Sequence, residues 1–146
     1  MIRALAFALA ATALAACNPS LVAESLGPPG RAATLDADSG FWGVKSYRLQ
    51  LSQGVAMALS CSSGGPCDQL TATSDNAAIA EVRPAALQTL QTVGLTGVRK
   101  PAAAFVVIGK SPGTTTIRLR SHDGDRDLRV TVIPPPLPTV AAVTPR

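Results

Sequence analysis

The chain has 146 residues, 47% of them apolar and 15% charged, with thirteen Lys and Arg against nine Asp and Glu for a formal charge of +4. That length holds one compact domain with extensions, not two. The mild positive balance comes with no basic run and with only five aromatic rings, which excludes the basic, ring-lined grooves that bind nucleic acid.

The first seventeen residues are a unit of their own. Arg3 supplies one positive charge, and Ala4 to Ala16 carry no charge and a single polar residue, Thr12. This is the charge order of an exported leader. A transmembrane helix needs about 20 apolar residues. Here Asn18-Pro19-Ser20 interrupts after thirteen, many of them weakly hydrophobic alanines. Leu14-Ala15-Ala16-Cys17 resembles the lipobox of bacterial lipoproteins, with an ordinary secretory signal as the alternative. The resemblance implies that residues 1–16 are removed and that Cys17 is acylated, anchoring the chain in a lipid bilayer through more than one acyl chain. Asn18, rather than Asp, after the cysteine implies sorting to the outer membrane by the same resemblance.

Removing the leader takes only Arg3 from the charge count and leaves Phe41, Trp42, Tyr47 and Phe105 as the aromatic residues. With Cys17 acylated, Cys61 and Cys67 remain as an even pair around Ser62-Ser63-Gly64-Gly65-Pro66, a turn-forming stretch. Outside the cytoplasm such a pair is expected to oxidise to a structural disulfide. Zinc would need about four ligands, and the single histidine, His122, stands alone. No metal or other cofactor is expected.

Residues 17–43 read as the lipidated start and a flexible tether. From Asn18 to about Thr34 there is no sustained periodicity, and Gly27-Pro28-Pro29-Gly30 breaks any regular element. Such a tether would hold a domain a few tens of ångströms from the bilayer. Residues 44–133 carry a strand-like pattern. Ser46 to Ser52 alternates with Tyr47, Leu49 and Leu51 on one face, and Val55 to Cys61 with Val55, Met57, Leu59 and Cys61. Ile79 to Arg83 is a short strand capped by Pro84. Ala85 to Leu95 fits a helix or an extended loop. Ala102 to Ile108 is a continuous apolar run of the kind buried on both faces. Gly109 to Gly113 is a turn, and Thr115 to Ser121 alternates, burying either Thr115, Ile117 and Leu119 or the opposite polar set. Asp123-Gly124 marks a hairpin, and Leu128 to Ile133 returns with Leu128, Val130 and Val132 in phase. Pro134-Pro135-Pro136-Leu137-Pro138 opens a Pro-rich tail over 134–146 that starts as polyproline II. Short strands with turns every eight to twelve residues predict an all-β sandwich.

Thr73-Ser74-Asp75-Asn76-Ala77-Ala78-Ile79-Ala80-Glu81-Val82 resembles a stretch of bacterial Ig-like group 2 domains. The run from Val107 to Ile117 is similar to that family's Gly-Thr-Ala-Thr-Ile hairpin, and Val130-Thr131-Val132 to its closing strand. The resemblance covers roughly residues 46–133. Ala72 stands where the family often has Trp, and the connection from Pro84 to Pro101 is longer than usual, so a divergent member is implied. The resemblance implies an Ig-like β-sandwich acting as an adhesive or spacer module, without catalytic residues.

Three fragments invite a chemical interpretation. Gly109-Lys110-Ser111-Pro112-Gly113 fits the G-x-S-x-G elbow, but that elbow joins a strand to a helix. Thr114-Thr115-Thr116 instead continues as strand. Asp123-Gly124-Asp125-Arg126-Asp127 is too poor in oxygens for calcium, which wants six to eight, and reads as a solvated hairpin tip. Asp36-Ala37-Asp38-Ser39-Gly40 lacks the later acids of an EF-hand loop and reads as a turn into Phe41-Trp42. Those two rings either plug one end of the sandwich or are offered to a partner. The expectation is therefore a non-enzymatic envelope lipoprotein. It would bind the bilayer through Cys17, with another envelope protein or a glycan as the candidate further partner; the alternative is an accessory assembly subunit of a secretion or pilus machine.

Overall fold

A strand with one wet face and one buried face repeats with period two, and that period governs most of this chain. The computed structural model of the protein describes residues 19–40, 45–86 and 103–135. They form β1 (Ser20–Ala23), β2 (Ala33–Ser39), β3 (Lys45–Ser52), β4 (Ala56–Ser62), β5 (Thr71–Ser74), β6 (Ala80–Ala86), β7 (Ala103–Gly109), β8 (Gly113–Ser121) and β9 (Gly124–Ile133). One sheet has the order β1-β4-β7-β6 and the other β2-β3-β9-β8-β5. The pairings are antiparallel except that of β3 with β9, which run parallel with Leu49 opposite Val130. The fold is an all-β sandwich, as the pattern of strands and turns predicts.

The alternating residues meet between the sheets. Leu49 and Leu51 of β3, Leu59 of β4, Phe105 and Val107 of β7, Ile117 of β8 and Leu128 and Val130 of β9 are all buried in one cluster. β8 turns Thr115, Ile117 and Leu119 inward, which settles its phase. β7 is less enclosed than its apolar run predicts. Its Phe105 and Val107 face the core, while Val106 and Ile108 on the outer side are half-buried. β6 does not stop at Pro84 but continues to Ala86, with Pro84 opposite Phe105. It is an edge strand, where alternate N–H groups point away from the ladder and a proline is tolerated.

Much of the stretch expected as a flexible tether is folded. β1 pairs with β4, Leu21 opposite Cys61, and β2 pairs with β3, Leu35 opposite Leu49. The Gly27-Pro28-Pro29-Gly30 cluster is the crossover between the two sheets, closed by a bond from Arg31 N to Pro28 O of 3.1 Å. Ala32 N donates to Ser52 Oγ at 2.8 Å on its far side. Four residues are too few to show periodicity, and the hydrogen bonds that fix β1 come from a partner about 40 positions away. Asp36 to Ser39, expected as a turn, likewise belongs to β2, where Asp38 pairs with Arg48 across the ladder edge.

Candidate functional site

Two of the three stretches on which the Ig-like resemblance rests hold each other. Asn76 N donates to Thr115 Oγ1 at 3.0 Å, and Asp75 N to Thr116 O at 2.9 Å. Asn76 Oδ1 accepts from Ala78 N at 3.0 Å, an Asx-type turn. Ser111 Oγ donates to Ala78 O at 2.5 Å, and Lys110 N to Ile79 O at 2.8 Å. Arg118 and Asp75 close the outer side as an ion pair of 2.9 Å. These polar residues therefore stitch one corner of the sandwich.

Ser111 lies in the turn between β7 and β8, and no helix follows it. His122 lies beyond the other end of β8, and nine residues of strand separate the two by about 30 Å. Serine and histidine are not brought together. The acidic residues also diverge. Asp123 accepts from Asp68 N at 2.8 Å, whereas Asp125 and Asp127 flank Arg120 on the outer sheet face at 3.4 and 3.6 Å. Among the described residues, no three His, Cys, Asp or Glu side chains converge.

Cys61 and Cys67 are joined as a disulfide, with 5.5 Å between their Cα atoms, and both are buried. Cys67 N donates to Cys61 O at 3.2 Å, so the loop returns on the end of β4. Cys17, Phe41 and Trp42 lie outside the described residues, as do residues 87–102 and 136–146. Phe41 and Trp42 fall between Ser39 and Lys45, which face each other across the β2–β3 ladder.

The sequence reading missed Arg126. It sits on β9 in phase with Leu128, Val130 and Val132, and so points inward, only 8% exposed. Its Nε donates to Pro19 O at 3.2 Å and its Nη1 to Lys45 O at 2.9 Å. The signal was available, since a cation in phase with a buried face needs acceptors. The acceptors, however, are backbone oxygens from distant segments.

Several hollows mark the surface of the described residues. One of about 250 Å3 opens between the edges of β5 and β6, over Leu70, Ala72, Pro84 and Phe105. A second, of about 400 Å3, lies between the edges of β1 and β2, over Ala33, Leu35 and Met57. Leu26 stands beside it, 96% exposed, and Val22 of β1 is 49% exposed. A third, about 560 Å3, is a polar trough on the outer face of the five-stranded sheet, lined by Asp38, Arg48, Thr116, Asp127 and Arg129. On the β6 edge, Glu81 bonds Arg83 at 2.6 Å and Lys110 at 3.2 Å. The Arg83 hydrogen bond, followed by that from Lys110, holds the Glu81 carboxyl below its ordinary value.

No family model matches the chain, and no curated protein matches it. Among solved structures, the chain is similar to domains 4 and 5 of the S-layer protein SbsC, with 17% identity and a TM-score of 0.41. It is also similar to domains 5-6 of the same protein, with 18% identity and a TM-score of 0.38. Each match covers 80% of this chain, and 54% and 45% of the respective S-layer chains. The chain thus spans about half the length of these two solved chains. Likenesses at this level carry no information on function.

Proposed function

We infer that the chain is a membrane-anchored envelope lipoprotein whose divergent bacterial Ig-like group 2 sandwich acts as a non-catalytic binding or structural module. The observation that carries this reading is Leu14-Ala15-Ala16-Cys17 standing directly before a disulfide-linked sandwich whose first strand starts at Ser20. Non-catalytic action is supported by how the ionisable groups are used. Asp75 with Arg118, Asp38 with Arg48, Asp125 and Asp127 with Arg120, and Glu81 with Arg83 and Lys110 engage one another on the surface. Metabolic labelling with an alkyne fatty acid tests the anchor. Wild type is expected to take up the label and fractionate with membranes, and Cys17→Ala to lose both. Recovery of unlabelled wild type from the soluble periplasm would refute the reading.

A second reading is an accessory subunit of an envelope secretion or pilus assembly. It is favoured by Val22, exposed on the edge strand β1, and by Leu26, exposed at the hollow between β1 and β2. Open edges and exposed apolar groups are where partner chains add. Cross-linking in intact cells separates the two. A stoichiometric envelope complex lost on Leu26→Asp supports the subunit, and its absence leaves the freestanding module.

A further inference from the structure

We propose that the sandwich stands directly on the bilayer, with the end that carries the Cys61–Cys67 loop facing the phospholipid headgroups. This rests on the lipid-anchor reading of Cys17 and goes beyond it, because an anchor alone leaves distance and orientation open.

The first described residue, Pro19, is buried, and its carbonyl oxygen is held by Arg126 Nε at 3.2 Å. Ser20 is already paired with Ser62, at the end of β4. Only Asn18 lies between Cys17 and the folded body. Three residues from Cys17 to Ser20 span at most about 11 Å. A tether over the full 17–43 stretch would let the domain swing, and this one does not reach far enough.

The register fixes which end is tied down. Ser20 is level with Ser62, and Cys61 with Ala103. In the other sheet Lys45, through Arg126 Nη1, is drawn to the same end, where the Ser121–Gly124 hairpin turns. The disulfide loop 62–66 and His122 therefore share the end from which the chain leaves toward Cys17. The opposite end carries Gly54 and the Lys110–Gly113 turn, joined there by the bond from Gly54 N to Gly109 O at 2.8 Å. The ten residues of β9 put about 33 Å between the two ends. Among the described residues, the charged groups at the near end include Lys45, Asp68 and Asp123, of mixed sign. The short covalent link sets the orientation.

The test is paramagnetic relaxation enhancement on the mature, acylated full chain in nanodiscs whose lipids include a gadolinium-chelate headgroup. Amides of Ser62–Gly65 and His122–Gly124 are expected to broaden severalfold more than those of Gly54, Ser111 and Gly113. Inserting ten Gly and Ser residues between Asn18 and Pro19 is expected to abolish the difference. Equal broadening at both ends in wild type, broadening centred on one sheet edge, or a gradient that survives the insertion would each overturn the proposal. Mass spectrometry of the N-terminal peptide keeps the two readings apart. An unmodified Cys17 removes the anchor reading and this inference with it, whereas an acylated chain without a gradient overturns this inference alone.

Discussion

The buried guanidinium of Arg126 donates from Nε to the carbonyl oxygen of Pro19 at 3.2 Å, joining residues 107 positions apart. Its Nη1 reaches Lys45 O at 2.9 Å, so one side chain fastens both the start of β1 and the start of β3 to β9. A charge taken out of water is tolerated where its donors are met. Here the acceptors are backbone oxygens at the starts of two strands, those of Pro19 and Lys45.

Replacing Arg126 should therefore loosen the N-terminal edge before the rest. Arg126→Met keeps the apolar stem but leaves two carbonyl oxygens without their charged donor, at a cost of about 2–4 kcal/mol. Urea unfolding should show the loss, and hydrogen exchange at Leu21 and Val22 should rise first. Arg129→Met is the control, since Arg129 is on the solvent face and makes no ion pair among the described residues. Its effect should stay within about 0.5 kcal/mol.

The disulfide gives a second prediction. Cys61 and Cys67 close a loop with a sequence separation of 6, and in the chain-entropy model this stabilises the fold by about 2 kcal/mol. Reduction, or the double variant Cys61→Ser with Cys67→Ser, should lower the denaturation midpoint. The denaturant slope should rise, because the unfolded chain loses a crosslink and exposes more surface. An unchanged midpoint would mean that the loop is held by its backbone bonds, such as that from Ser63 N to Gly65 O at 2.7 Å.

How much of this was legible depended on where the determining contacts lie. β3, β4, β8 and β9 announce themselves because Tyr47, Leu49 and Leu51, or Leu128, Val130 and Val132, alternate over enough residues to set a face. β1 has four residues and β2 only weakly buried ones, so neither shows a face without the partner strand that pairs with it. The Ser111 turn could be recognised because three threonines forbid a helix after it. Arg126 was hidden for the opposite reason. Its phase pointed inward, but a charge at that place makes sense only once Pro19 and Lys45 are seen beside it. The meeting of Asn76 with Thr115 and of Ser111 with Ala78 turns a family-like pair of motifs into a set of hydrogen bonds with a structural purpose.

Acid should weaken the β6 edge through Glu81. Hydrogen bonds from Arg83 and then Lys110 lower its folded-state value from the ordinary 4.5. A carboxyl depressed on folding contributes its stability above the unfolded value and loses it as the pH falls through the folded one. Glu81→Gln should thus flatten part of the stability loss below pH 4.5 while leaving stability near neutral pH slightly lower. Thermal melts from pH 7 to pH 3 check this. An identical pH profile for the variant would assign the acid response to other carboxylates.

Gly113 opens β8 with φ at 150°, and a Cβ placed there would lie 2.9 Å from Ile79 Cδ1. Two costs would then act on Gly113→Ala: a backbone conformation that L-residues avoid, and contact with a side chain wedged behind the turn. The backbone part remains whatever surrounds it and amounts to about 1–2 kcal/mol. The steric part can be separated, because Ile79→Val removes the Cδ1 atom. The double variant should recover some of the stability lost by Gly113→Ala, beyond the sum of the single changes, a coupling of about 0.5 kcal/mol or more. Denaturation of the four proteins of this cycle measures it. Strict additivity would mean that the Ile79 side chain simply swings aside and that the backbone alone requires glycine at this turn.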